Sequence, residues 1–337
     1  MRRPNKFLFQ STILAGAALM LVPALVFTQV APPAVPQKSA GAEKTAGAGK
    51  NDEQDAVFTS DTRLVPLNVT VTDKGGHLVS NLTKSNFQIF ENGVAQQIKD
   101  FKHEDVPVSL GLIIDNSGSM REKRQAVESS ALVLVRDSNP QDEAFVVNFN
   151  DEAYLDADFT SDIKLLEQGL AKIDSRGGTA MRDAISMSID HLKKKAKRDK
   201  KVILVVTDGN DNASNSSLEK LVREAQQNDI LIYAIGLLSE EEKKEAAKAK
   251  RALNLLVEST GGQVFYPKDV TQVEQIAHEV AHDIRNQYTV TYTPTNQTLD
   301  GSFRPIKVTV KSAGNPVART RMGYYATKDR STAKSGF

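Results

Sequence analysis

Between Val106 and Asp283, short apolar runs alternate with stretches of helical period, and this alternation restricts what the chain can fold into more than any other feature. VSLGLIID is followed by a helical period from about Arg121 to Arg136 and then by EAFVVNFN. A short edge strand at Tyr154 to Asp158 leads to helical periods at about Ser161 to Ile173 and Met181 to Lys195. KVILVVTD, a helix over Leu218 to Gln227, ILIYAIGL, a helix over Glu240 to Glu258, QVFYP and a last helix from about Val270 to Arg285 complete the series. Continuous apolar strands are buried on both faces, and the helices between them supply the crossovers that parallel pairing requires. The rhythm predicts an α/β domain over residues 106–285 with a doubly wound, mostly parallel sheet.

On both sides of this region the period drops to two. Before it come LVPLNVTVTD, NFQIFENG and VAQQIKDF, broken at Lys74-Gly75-Gly76 and Glu91-Asn92-Gly93; after it come YTVTYTP, RPIKVTVKS and RMGYYAT. The two segments, 56–105 and 286–327, are each too short for an independent sandwich, whereas their six or so strands together suffice. The expectation is an α/β domain inserted into, or flanked by, one antiparallel β-sandwich-like domain. Two separate β-hairpins packed on the central sheet are the alternative.

The N-terminus carries Arg2, Arg3 and Lys6 ahead of an uncharged apolar run, Ile13 to Phe27. That pattern reads as a secretory signal within residues 1–28, because the run is shorter than the roughly 20 residues of a membrane-spanning helix and Pro23 interrupts it. An uncleaved anchor is the other reading, and the membrane would then be touched only through this segment. Residues 29–55, rich in Pro, Ala, Gly and Lys, cannot bury enough apolar surface to offset the entropy of ordering and read as a flexible linker. Residues 328–337 read as a disordered tail. The chain is thus expected to be secreted or periplasmic. It has no cysteine, which excludes disulfides, thiol nucleophiles, Cys-ligated zinc and a lipidated N-terminal cysteine. Forty-three basic against 42 acidic residues argue against a dedicated nucleic-acid binder.

The chemistry concentrates where strands end. VSLGLIID ends at Asp115 and runs on through Asn116, Ser117, Gly118, Ser119 and Met120, a DxSxS loop. VILVV ends in Thr207, Asp208 and Gly209, and Gly177-Gly178-Thr179 opens a helix between the two. In open α/β sheets the ligand crevice lies at the carboxyl ends of the strands. Two carboxylates and three hydroxyls, without histidine or thiol, form an all-oxygen set for a hard cation, Mg²⁺ first, with Mn²⁺ or Ca²⁺ as substitutes. Each motif alone could be a helix-capping turn; their order, each at a strand end or helix start, carries the argument.

At these residues the sequence resembles the von Willebrand factor type A domain, over about Val106 to Gln287, and the three pieces match that family's metal-ion-dependent adhesion site. The resemblance implies that Ser117, Ser119 and Thr179 supply hydroxyl ligands, while Asp115 and Asp208 bind the ion directly or through water. It further implies a noncatalytic adhesion or assembly module, in which the open coordination position accepts an exposed Asp or Glu of a protein partner. Asn116, Met120, Gly178, Gly209 and Asn210, beside the ligands, are then expected to face that partner. The flanks NLTKSNFQIFENGVAQQI and NQYTVTY are similar to those of bacterial, notably acidobacterial, proteins related to this family. A metal-dependent hydrolase using the same edge, and a structural module whose ion only ties strand ends together, are the alternatives.

Several rival motifs fail on their own chemistry. His278, Glu279 and His282 spell HExxH, yet no His or Glu follows to act as a third zinc ligand, and the apolar stripe of that helix leaves both histidines toward solvent. Asp208, Asn210 and Asn212 hint at a calcium loop, but Ala213 stands where the turn glycine belongs. The run Lys193 to Lys201 reads as a solvated helix end, its charges complementing the helix dipole. Ser117 lacks the GxSxG context of a serine nucleophile.

Overall fold

The computed structural model describes residues 63–172, 175–209, 211–239 and 243–327. The segments read above as signal and linker, residues 56–62, Asn210 and the tail lie outside the described residues. The chain enters through β1 (Val65–Thr72), β2 (Phe87–Glu91), β3 (Val94–Gln96) and β4 (Ile98–Lys102). Then follow β5 (Val108–Asp115), α1 (Arg124–Arg136), β6 (Glu143–Phe149), β7 (Ala153–Thr160), α2 (Ile163–Ala171), α3 (Met181–Lys195) and β8 (Lys200–Thr207). Next come α4 (Leu218–Gln227), β9 (Ile230–Gly236), α5 (Lys243–Thr260), β10 (Val264–Phe265) and α6 (Val273–Arg285). The chain returns through β11 (Tyr288–Tyr292), β12 (Phe303–Val310), β13 (Val317–Arg319) and β14 (Gly323–Tyr325).

The central sheet has the order β10-β9-β8-β5-β6-β7, parallel throughout except for the antiparallel edge strand β7. Its strands are apolar on both faces because both faces are covered. On β8, Val202, Leu204 and Val206 point to the layer of α1, α2 and α6, whereas Ile203 and Val205 point to that of α3, α4 and α5. Each such side chain, fully buried, contributes about 1.5–3 kcal/mol. Gly111 on β5 makes room for the ring of Phe145, since a Cβ there would stand 2.6 Å from Phe145 Cζ. The order reverses at β5, whose neighbours are β6 on one side and β8 on the other. The carboxyl ends of β5 and β8 therefore flank the topological switch point, where such sheets hold ligands.

The flanking strands form two four-stranded antiparallel sheets, β13-β1-β11-β4 and β14-β12-β2-β3. Each sheet takes strands from both ends of the chain: Val65 pairs with Tyr292, and Phe87 with Val310. They share one core, built on Val65, Leu67, Phe87, Ile89, Tyr288, Val290, Ile306 and Tyr324. Separate hairpins are thus not what the chain adopts. There are eight strands where the sequence suggested about six. VAQQIKDF, which reads as one strand, is divided at Gln97: the Asn92-Gly93 turn, with φ of 51° and 79°, folds β3 back onto β2, while β4 crosses to β11. The short strand β13 has no counterpart in the sequence reading.

At the junction of the two units α6 runs almost directly into β11. Asp283, near the end of α6, accepts from Thr70 Oγ1 at 2.7 Å and from the Tyr233 hydroxyl at 2.9 Å, and pairs with Arg319. Gln287 Nε2 donates to the same Thr70 and Tyr233 oxygens, at 3.0 and 3.2 Å. Among the described residues no helix is long and apolar enough to cross a membrane.

Candidate functional site

Asp115 is the last residue of β5, and the strand delivers its carboxyl to the switch point almost wholly buried, at 1 % exposure. One oxygen accepts the Ser117 amide at 2.8 Å and the other the Thr207 hydroxyl at 2.6 Å. Neither partner is charged, and among the described residues no ion pair to Asp115 is found. Burial accordingly pushes its carboxyl up to about 6 against the pull of those hydrogen bonds, and nearby Asp208 adds to the rise.

From Ser117 the chain turns through a 3₁₀ helix, Gly118–Met120, before α1 begins. The sequence suggested helix from about Arg121; the tight turn comes first because the loop is bonded across to its neighbours. The Asn116 amide donates to Phe149 O at 2.6 Å, the Arg176 amide to Asn116 O at 3.1 Å, and the Gly118 amide to Gly177 O at 3.3 Å. The Ser117 and Ser119 hydroxyls come to lie 3.2 Å apart, and Ser119 donates to Asp208 Oδ1 at 2.8 Å. Lys123 donates to the other Asp208 oxygen at 2.5 Å.

The third loop is held by Asp151, which the sequence reading did not single out, and by Asn212, which it weighed only in the rejected calcium loop. Asp151 accepts the Gly178 amide at 2.7 Å, and Asn212 accepts the Thr179 amide at 2.9 Å. Gly177 has φ +75°, and a Cβ there would fall 2.0 Å from an Asp151 oxygen, so this position requires glycine. The anchorage brings the Thr179 hydroxyl beside Gly209, 3.6 Å from where a Cβ on that glycine would lie.

Asp115, Ser117, Ser119, Thr179 and Asp208 thus meet at one edge, although three separate loops carry them. The residues expected beside them divide. Gly178 and Gly209 are partly exposed, but Asn116 and Met120 are buried, at 4 % and 1 %. Met120 packs into the core with Ile114 and Val127, so its side chain is not offered to a partner, contrary to expectation. Asn116 contributes backbone bonds instead. Asn210 lies outside the described residues. Lys123 and Asp151 were missed, and Thr207 and Asn212 were named without these roles. Thr207, next to Asp208, was the most visible of them, whereas the others act across 27 to 85 residues of sequence.

A hard cation fits this donor set. All five side chains offer oxygen, and the 3.2 Å between the serine hydroxyls is near the roughly 3.0 Å between adjacent corners of an octahedron of about 2.1 Å radius. Among the described residues no cluster of three or more His, Asp or Glu could hold an ion, so a cation here would depend on the hydroxyls. His278 and His282 of the HExxH motif are exposed and far from this edge in the chain's topology; His278 contacts Asp137.

The family model of the von Willebrand factor type A domain matches residues 110–279, half of the chain, and the chain belongs to that family. Its structure is similar to a von Willebrand factor type A protein from Catenulispora acidiphila, at 13 % identity and TM-score 0.46, covering 81 % of this chain and 76 % of that one. It is also similar to the PilB minor pilin of Streptococcus sanguinis, at 12 % identity and TM-score 0.43, covering 54 % of this chain and 62 % of the pilin. A third likeness is to the vWF domain of the type V pili tip protein Mfa5 from Porphyromonas gingivalis, at 14 % identity and TM-score 0.43, covering 53 % and 97 %. No curated protein sequence matches the chain.

Proposed function

We propose that this chain is a noncatalytic protein-interaction module, secreted or periplasmic, that binds its partner through a divalent cation. Asp115, Ser117, Ser119, Thr179 and Asp208 hold the ion, Mg²⁺ by preference, and a partner's Asp or Glu completes its coordination. The observation that carries this reading is Asp115, a carboxylate buried at the switch point and bonded only to neutral donors. An ion there compensates its charge, and with few protein ligands it keeps a position open for an outside oxygen.

The hydrolase alternative needs a general base free of the ion, and the carboxylates among the five converging side chains, Asp115 and Asp208, are both assigned to the ion. In the adhesion reading Thr179 comes from a different loop than the two serines, so it can respond separately to the partner. The test is retention of envelope or secreted proteins on the immobilised full chain in Mg²⁺, in EDTA, and with the Asp115→Ala variant. Partners held in Mg²⁺ and lost in both other cases are the expected result. Equal retention in all three would contradict the reading.

A further inference from the structure

One charged side chain at this edge has no part in the reading above. Lys123 stands immediately before α1, and its ammonium reaches back to Asp208 Oδ2 at 2.5 Å and to Leu237 O at 3.4 Å. The Leu237 carbonyl is itself well placed, because its own amide donates to Thr207 O at 2.8 Å and so ties the end of β9 to that of β8. The Asp208 side chain is 1 % exposed and that of Lys123 31 %, so the pair lies at the rim with its acid inside. Ser119 occupies the other Asp208 oxygen. Asp115, by contrast, is paired with no cation among the described residues. The two carboxylates of one site are therefore treated unequally.

We propose that Lys123 sets the charge of the loaded site: a tethered cation that neutralises Asp208, weakens divalent-ion binding, and leaves the bound ion surplus positive charge for an anionic ligand. The inference rests on the cation reading of the site. Two free carboxylates would cancel the charge of a divalent ion. With one of them paired to an ammonium, one unit of positive charge remains for the ligand that completes the ion's coordination. A fixed positive charge a few ångströms from the ion also repels it, and partial exposure moderates that repulsion without removing it. A lysine that merely pinned the start of α1 to β8 would have neither effect on the ion.

The experiment is calorimetric titration of Mg²⁺ alone into the full chain, in wild-type form and as Lys123→Met, Lys123→Gln and Lys123→Arg, with circular dichroism to establish folding. The Met and Gln variants are expected to bind Mg²⁺ about tenfold more tightly than wild type, while the Arg variant, which keeps the charge, stays close to it. Uptake by the Met or Gln variant where the wild type takes up none would support the proposal equally. If wild type binds Mg²⁺ and the Met and Gln variants bind it no more tightly, the proposal fails and the cation reading stands. If no form binds Mg²⁺, the cation reading fails and takes the proposal with it. Unfolding of both neutral variants would make Lys123 a structural tie and would also overturn the proposal.

Discussion

Asp115 and Asp283 are both buried aspartates, 1 % and 6 % exposed, one at the carboxyl end of the central sheet and one where α6 meets the β-sandwich. Asp283 is completed from within: Thr70 and Tyr233 donate to it, and Arg319 supplies the opposite charge. Among the described residues Asp115 receives two neutral hydrogen bonds and no counter-charge, and burial raises its carboxyl to about 6. A carboxylate whose cation is supplied by the same chain is a structural tie. In the proposed reading, one without an internal cation marks a place where something binds. The same residue type, at similar burial, thus does different work according to whether its charge is balanced internally.

The largest expected effect breaks the internal tie. Asp283→Ala leaves the Arg319 guanidinium and the Tyr233 hydroxyl without their partner, and should cost about 3 kcal/mol in denaturant unfolding. In EDTA, Asp115→Asn should shift stability by less than about 1 kcal/mol, since it removes an unbalanced charge and keeps the shape. Equal losses in the two variants would erase the distinction between the two ends of the sheet.

That distinction was only half legible in the sequence. Asp115, Ser117, Ser119 and Asp208 stand out because each lies within a few residues of a strand end, and strand ends are readable from runs such as VSLGLIID and VILVV. The sandwich was legible as a change of period, but not the division of VAQQIKDF between two sheets, because a period of two says nothing about which neighbour a strand takes. The Asp283 tie was illegible. Its partners Thr70, Tyr233 and Arg319 lie 213, 50 and 36 residues away along the chain, and only the fold, which brings residues of β1, β9 and β13 to the end of α6, makes them neighbours. Lys123, Asp151 and the anchoring role of Asn212 escaped for the same reason. Met120 was misread because its place in a loop hid that its side chain turns into the core.

A smaller effect sharpens the comparison at the α6 end. Lys200 opens β8 and donates to Ile284 O at 2.5 Å, and burial lowers its ammonium to about 8, against the upward pull of Asp283, Asp105 and Asp142. Its ordinary value is 10.5. Between about 8 and 10.5 the unfolded chain therefore binds more protons at this position than the folded one, and its contribution makes stability rise with pH through that window. Below 8 the cost of burying the charge is fully present. Lys200→Met, after loss of the hydrogen bond, should be more stable than wild type by about 1 kcal/mol below pH 8, and the advantage should fade toward pH 10.5. Thermal unfolding across that range reads it directly; an advantage that grows with pH would reverse the assignment.

The central claim, that the unbalanced carboxylate marks a cation site, is most directly tested by calorimetric titration of Mg²⁺ into the wild-type chain and into Asp115→Ala, each shown to be folded. The account predicts one ion per wild-type chain and none detectable for the variant. Equal Mg²⁺ affinity in the two proteins, or no binding to the wild type and none to Lys123→Met either, would contradict it.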